Sequence, residues 1–359
     1  MADCSTQATP IGVGVIGCGT IAERMVAAWR PYMTGAHVVS VMDTNPARVQ
    51  MMQQRFAIPH GTDNLDELLA RPDLDAVLVL TPNYLHACNS IAAAQAGKHV
   101  LCQKPMAMSL AEAQHMIDTA RANKVILMAS FLKRFWPYFA RIRALIDDGV
   151  LGNVISVRSQ FSHSGIGKYY KPASDWFLDP VKSGGGPLID LGVHHFDVLR
   201  WIVGTEVVSV SAEIASLGQG ERVEDNALVN LRFANGVVAQ GYYSFATVAP
   251  PGVTIERLEV YGSKGTAIAV LEHLGRCIVR LCLENGDRAF GGGWVDLPIN
   301  EPVPAFALML QNFADSIAGK TAPRTTGEDG YRSIEICQAA YASAREGQRI
   351  EVGGAIPSG

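Results

Sequence analysis

The sequence predicts two successive units. These are a doubly wound α/β domain over residues 1–130 and an α+β domain over residues 131–359, the second built on a large, mainly antiparallel sheet. Three observations carry that expectation. Up to about residue 130, short β-branched runs alternate with helical patterns, the sequence form of a parallel sheet covered on both faces. Beyond that point strand-like runs follow one another through hairpin signals, Asn235-Gly236 and Asn285-Gly286, with a further turn at Gly262-Ser263-Lys264-Gly265. The length of 359 residues is that of two or three domains.

Strands are expected at Ile11–Gly17, His37–Met42, Asp75–Leu80, His99–Cys102 and Val125–Met128. Between them, Ala22, Met25, Val26 and Trp29 recur at helical spacing, as do Ala113, Met116, Ile117 and Ala120. Thr20-x-x-Glu23 and Ser109-x-x-Glu112 read as capping boxes that start these helices. A helix is expected near Pro137–Asp147. Another runs from Pro187, a first-turn position, to about Val203, where Gly204 ends it. Helices over roughly 304–319 and 327–346 close the chain.

Composition narrows the function. Hydrophobic residues make up 48% of the chain and charged ones 18%, too apolar for disorder. Lys plus Arg number 30 against 34 Asp plus Glu, a net charge of -4 with no basic tract, so nucleic acid is not the expected partner. No apolar run approaches the roughly 18 residues of a membrane span, and the amino terminus lacks the basic and apolar regions of a secretory signal. The expected compartment is the cytoplasm. The seven cysteines form no C-x-x-C pair, and adjacent His194 and His195 point about 100° apart around a helix, so no metal site is expected.

Gly17-Cys18-Gly19-Thr20-Ile21-Ala22 is G-x-G-x-x-A between a strand and a helix. The first glycine permits a tight turn, the second a close backbone approach to a pyrophosphate, and Ala22 close helix packing. The second strand ends at Asp43, placed to accept hydrogen bonds from an adenosine ribose. A carboxylate there repels a 2'-phosphate and favours NAD, while Arg48, five residues on, keeps NADP open. Thr81-Pro82-Asn83-Tyr84-Leu85-His86 and Gln103-Lys104-Pro105 follow later strands, at the carboxyl ends where open α/β sheets bind ligands. With Gly17, Gly19, Thr20, Ile21 and Asp43, the residues Thr81, Pro82, Asn83, His86, Gln103 and Lys104 form the expected cofactor-binding set. On the helix after Gly184-Gly185-Gly186, Asp190, His194 and Asp197 fall at i, i+4 and i+7, a polar stripe that must line a cleft or satisfy itself.

These motifs, with AGKHVLCQKP at 96–105 and SGGGPLIDLGVHHFDVLRWIVG at 183–204, resemble the Gfo/Idh/MocA family over nearly the whole chain. The resemblance implies an amino-terminal Rossmann domain and an NAD(P)-dependent dehydrogenase acting on a sugar, sugar derivative or cyclitol. It also implies that Lys104, Asp190 and His194 match the family's catalytic Lys, Asp and His. The substrate side is expected to include these three with Arg134, Arg158, His163, Tyr169 and Trp176, and Trp136 and Tyr170 as further stacking surfaces. Two departures stand out: Gln103 where the family usually has Glu, and Phe177 where many members place Arg after the tryptophan. Two rival readings are NAD-assisted glycoside cleavage by oxidation and elimination, and a non-catalytic dinucleotide-binding sensor. A homodimer or homotetramer is expected, because runs such as Val237–Phe245 carry apolar residues on both faces.

Overall fold

A computed structural model describes residues 10–169, 175–218, 222–271, 277–284 and 293–354; Tyr170 and the Asn285-Gly286 turn lie outside them. Six strands, β1 (Ile11–Ile16), β2 (Ala36–Met42), β3 (His60–Thr62), β4 (Ala76–Val79), β5 (His99–Cys102) and β6 (Leu127–Ala129), form a parallel sheet in the order β3-β2-β1-β4-β5-β6. That is the doubly wound dinucleotide-binding order, with its reversal between β1 and β4. Alternation along the strands explains why both faces are covered. Val13, Val15 and Leu78 enter one apolar core, while Ile16, Val77 and Val79 enter the other. The expected strands are in place; β3, short and polar, gave no apolar signal.

The first helix starts one residue earlier than a Thr20 cap requires. Gly19 is its N-cap and no side chain caps it, so its first amides are left open. The Ser109 cap is in place, its hydroxyl accepting from the Glu112 amide at 3.1 Å.

The second sheet holds β7 (Val154–Ser162), β8 (Val207–Ala215), β9 (Asn226–Phe233), β10 (Val238–Ser244), β11 (Ile255–Gly262), β12 (Gly265–Leu271), β13 (Cys277–Leu283), β14 (Val295–Leu297) and β15 (Ile350–Glu351). Its order is β14-β13-β12-β11-β7-β10-β9-β8-β15, antiparallel throughout except for the parallel pair β7 and β10. The Asn235-Gly236 signal makes the β9–β10 hairpin, with Gly236 at φ +89°. Along β9, Ala227, Val229, Leu231 and Phe233 are buried beneath helices, while Leu228, Asn230 and Arg232 face outward.

One expected boundary is corrected. The helix Ala305–Ile317 leaves the carboxyl-terminal unit and places Met309, Leu310 and Phe313 in the same core as Val26 and Trp29 of the first domain. The last helix, Gly327–Glu346, also reaches across: a Cβ on Gly330 would lie 2.7 Å from the Met106 sulfur, two residues after Lys104.

Candidate active site

The glycine turn is shaped by its neighbours. Gly17 has φ +93°, and a Cβ there would lie 2.8 Å from the Leu80 carbonyl oxygen. A Cβ on Gly19 would meet nothing within 4 Å, so the backbone here borders open space above the uncapped helix start. Asp43, 8% exposed, accepts from the amides of Cys18 at 2.8 Å and Asn45 at 2.9 Å, and Arg48 approaches it at 3.9 Å. Open donors, a cradle without side chains and an anchored carboxylate at the end of β2 fit a dinucleotide. Thr20 is exposed and Ile21 half-buried at the same edge.

Beyond β4, Thr81 and Pro82 are half-buried at the strand end, whereas Asn83 is buried and donates to the Ser183 carbonyl of the second domain at 2.8 Å. The expectation that His86 contacts cofactor is not met. It is fully buried, with Nδ1 2.7 Å from the Pro105 carbonyl oxygen and Nε2 2.8 Å from that of Thr81, and so it joins the loops after β4 and β5. Gln103 accepts from the Lys104 amide at 2.8 Å, and the Lys104–Pro105 bond is cis.

Lys104 reaches across to the second domain. Its ammonium donates to Asp190 Oδ1 at 2.5 Å and to the Asp190 carbonyl at 2.8 Å, which leaves one of its three N–H donors. Asp190 is 5% exposed and its Oδ2 is buried without a hydrogen bond. The stretch Leu188–Gly192 is a π-turn that continues into the α-helix Val193–Val203, and it begins under close backbone contact. Glu224 accepts from the amides of Gly186 at 2.8 Å and Leu188 at 3.3 Å, and Tyr341 donates to it at 2.7 Å. A Cβ on Gly186 would lie 2.0 Å from the Glu224 carbonyl oxygen. Gly186→Ala is therefore expected to cost about 2 kcal/mol or more of stability, read as a lowered denaturant midpoint. An unchanged midpoint would show that this backbone is free to move.

His194, half-buried, sits between the rings of Phe131 and Phe161 with centroids 6.4 and 6.3 Å away. Its Nδ1 is buried without a partner, which leaves Nε2 as the open ring nitrogen. Burial, then the charges of Lys104 and Lys133 and the neighbouring His195, hold it well below the usual imidazole value. The stripe thus divides its duties: Asp190 meets Lys104 and His194 keeps an open ring nitrogen, while Asp197 is buried against Arg134 at 2.5 and 2.9 Å.

That pairing corrects the expectation for Arg134, whose guanidinium is taken up by Asp197, Asp329 and the Arg324 carbonyl. Arg158 is corrected too: period-two alternation turns Ser159 and Phe161 inward, and Arg158 points out, 61% exposed and 4.0 Å from Glu259. His163 lies near the cleft, stacked between Tyr169 at 4.3 Å and Phe245 at 4.8 Å; burial, opposed by Asp190, brings it to about 4. Tyr169 is half-buried beside it. Trp176 packs on Phe177 at 4.5 Å, and Trp136 lies under the Lys133 ammonium at 4.3 Å.

Lys133, Glu256 and Tyr138 were missed in the sequence; with His195, weighed there only as a metal ligand, they form a buried polar group. Alternation along β11 was the available signal, because Glu256 shares the inward face with Leu258 and Val260. Among the described residues no group of three or more potential metal ligands occurs, and no helix is long and apolar enough to cross a membrane.

Comparison with known proteins matches residues 11–131 to a family described as oxidoreductase, NAD-binding Rossmann fold, and residues 139–268 to the GFO/IDH/MocA C-terminal domain. The chain is 34% identical over 343 residues to 1,5-anhydro-D-fructose reductase of Ensifer adhaerens, covering 94% of this chain and 98% of that protein. It is 29% identical over 346 residues to myo-inositol 2-dehydrogenase of Thermotoga maritima, covering 95% and 98%. Among solved structures, GenD2 from gentamicin A biosynthesis in complex with NAD superposes with a TM-score of 0.82 at 27% identity, covering 99% of each chain.

Proposed function

The chain belongs to the Gfo/Idh/MocA oxidoreductase family, and from that premise we propose that it oxidises or reduces a hydroxyl-bearing carbon of a sugar, sugar derivative or cyclitol with NAD(P). The observation that carries this reading is the meeting of Lys104 with Asp190 beside an open His194 nitrogen, at the strand ends next to the glycine turn. When bound, the dinucleotide supplies the hydride acceptor or donor. Gly17, Gly19, Thr20, Ile21 and Asp43 would hold its adenosine and pyrophosphate, with Thr81, Pro82 and Gln103 toward the reacting end. In the oxidation direction Nε2 of His194 takes the hydroxyl proton, the remaining Lys104 donor stabilises the developing alkoxide, and Asp190 fixes the lysine. Tyr169 and Trp176 would offer stacking surfaces to the substrate.

Spectrophotometry with NAD and NADP against sugars, inositols and glycosides, with chromatography for cleavage products, tests the reading. Substrate-dependent NADH formation supports it. Released aglycone without net reduction replaces it with glycoside cleavage, and tight dinucleotide binding without any turnover replaces it with a sensor.

NAD is expected to bind more tightly than NADP because the Asp43 carboxylate faces the ribose. Asp43→Ala also frees the Cys18 amide, so affinity for both should fall while their ratio moves toward one. Fluorescence titration with NADH and NADPH reads that ratio, and tighter NADPH binding by the unmodified protein overturns the assignment. We further place the protein in the cytoplasm as a homodimer or homotetramer, paired through the outer sheet face where Leu228, Val238 and Ile255 are exposed among polar residues. Analytical ultracentrifugation checks the assembly.

A further inference from the structure

Behind the cleft lies a charged group that the mechanism above does not use. Lys133 follows β6, Glu256 lies on the inward face of β11, and both are almost wholly buried. The Lys133 ammonium lies 2.6 Å from the Glu256 carboxylate, His195 Nε2 lies 2.9 Å from it, and the Tyr138 hydroxyl donates to it at 3.0 Å. Although burial alone would raise it, Lys133 and His195 hold the Glu256 carboxyl below its ordinary value, while burial, opposed by Glu256, lowers that of Lys133. Burying such a pair costs desolvation that apolar residues of similar volume avoid, so structure alone gives little reason for it.

Its position supplies a reason. The Phe161 ring is a shared wall: the Lys133 ammonium sits 4.1 Å from its centroid, His195 stacks on it at 5.4 Å, and His194 leans on it at 6.3 Å. Phe161 pairs directly with Glu256 across the β7–β11 ladder, so wall and counterion are set by one register.

We propose that Lys133 is a positioning residue for the proton step: Glu256 fixes its ammonium behind Phe161, and from there it keeps His194 uncharged until substrate delivers a proton. This rests on His194 being the acid–base group. The other charged groups acting on His194 are Lys104 from the end of β5 and His195 on its own helix; Glu256 on β11 holds both Lys133 and His195, and Asp190, four residues before His194, has its carboxylate taken up by Lys104. Unlike the Lys104 ammonium, which is held by Asp190, the Lys133 ammonium is held by Glu256.

The test is an NMR titration of histidine ring signals in the full-length, cofactor-free protein, with His194 assigned by its loss in His194→Asn. Lys133→Met is expected to raise the His194 titration midpoint by roughly one pH unit. Lys133→Arg, which keeps the charge, should leave it near the native value. The acid limb of the oxidation rate should move with the midpoint. A folded Lys133→Met protein with an unchanged His194 midpoint overturns the proposal. A midpoint that moves while the rate limb stays overturns both the acid–base reading of His194 and Lys133's part in the reaction, a distinguishable result. If Lys133→Met fails to fold because Glu256 loses its cation, Lys133→Met/Glu256→Gln carries the same readout. The paired variant also removes the pull by which Glu256 would charge His195 in the lysine's place.

Discussion

Lys104→Ala is expected to lower turnover by about 10² to 10³, the loss that follows removal of one preorganised electrostatic donor, or about 3 to 4 kcal/mol of transition-state stabilisation. The geometry explains why the loss should fall on turnover. Two of the three ammonium donors are engaged by Asp190, so the ammonium is held in place before substrate arrives. The remaining donor reorganises little when charge develops on the reacting oxygen, which is what distinguishes a preorganised group from a mobile surface lysine. Dinucleotide affinity should change little, because the ammonium donates to Asp190 and the glycine turn stands on other strands. Lys104→Arg should recover only part of the rate, since a planar fork cannot reproduce two donors on Asp190 and a third toward the cleft. Steady-state kinetics with NADH titration separate the two quantities. Near-normal turnover in the alanine variant would move the active centre elsewhere.

What could be read from the chain was mostly local. The glycine turn, Asp43, the helix Pro137–Asp147 and the helix ending at Gly204 each carry their signal within a few residues, and each is in place. What could not be read depended on pairing between distant segments. The return of Ala305–Ile317 to the first domain and the parallel contact of β7 with β10 are decided by tertiary packing, which leaves no local pattern. Lys133 and Glu256 are 123 positions apart, and neither is conspicuous until the two meet. His86 shows the opposite failure: its motif pointed to a ligand, yet two backbone carbonyls already bracket the ring. Arg158 was legible after all, because the alternation that buries Phe161 turns Arg158 outward.

His194→Asn is expected to abolish most turnover and to flatten the pH dependence in both directions, while leaving NAD affinity intact. The sign follows from the surroundings of the ring. Burial, Lys104, Lys133 and His195 all disfavour the imidazolium, so the midpoint lies well below the ordinary 6.5. Oxidation needs the neutral imidazole as proton acceptor. Its rate should therefore hold level across neutrality and fail only as pH drops through that lowered value. Reduction needs the imidazolium as proton donor, so its rate should already be declining as pH rises toward neutrality. One residue thus predicts two limbs of opposite sign about a shared midpoint. Asparagine keeps a polar side chain of similar reach but cannot carry the proton, and both limbs should vanish with it. Rate profiles measured in both directions from acid to alkaline pH check this. A variant that keeps its limbs and most of its rate would assign the proton to another group and leave His194 as packing between Phe131 and Phe161.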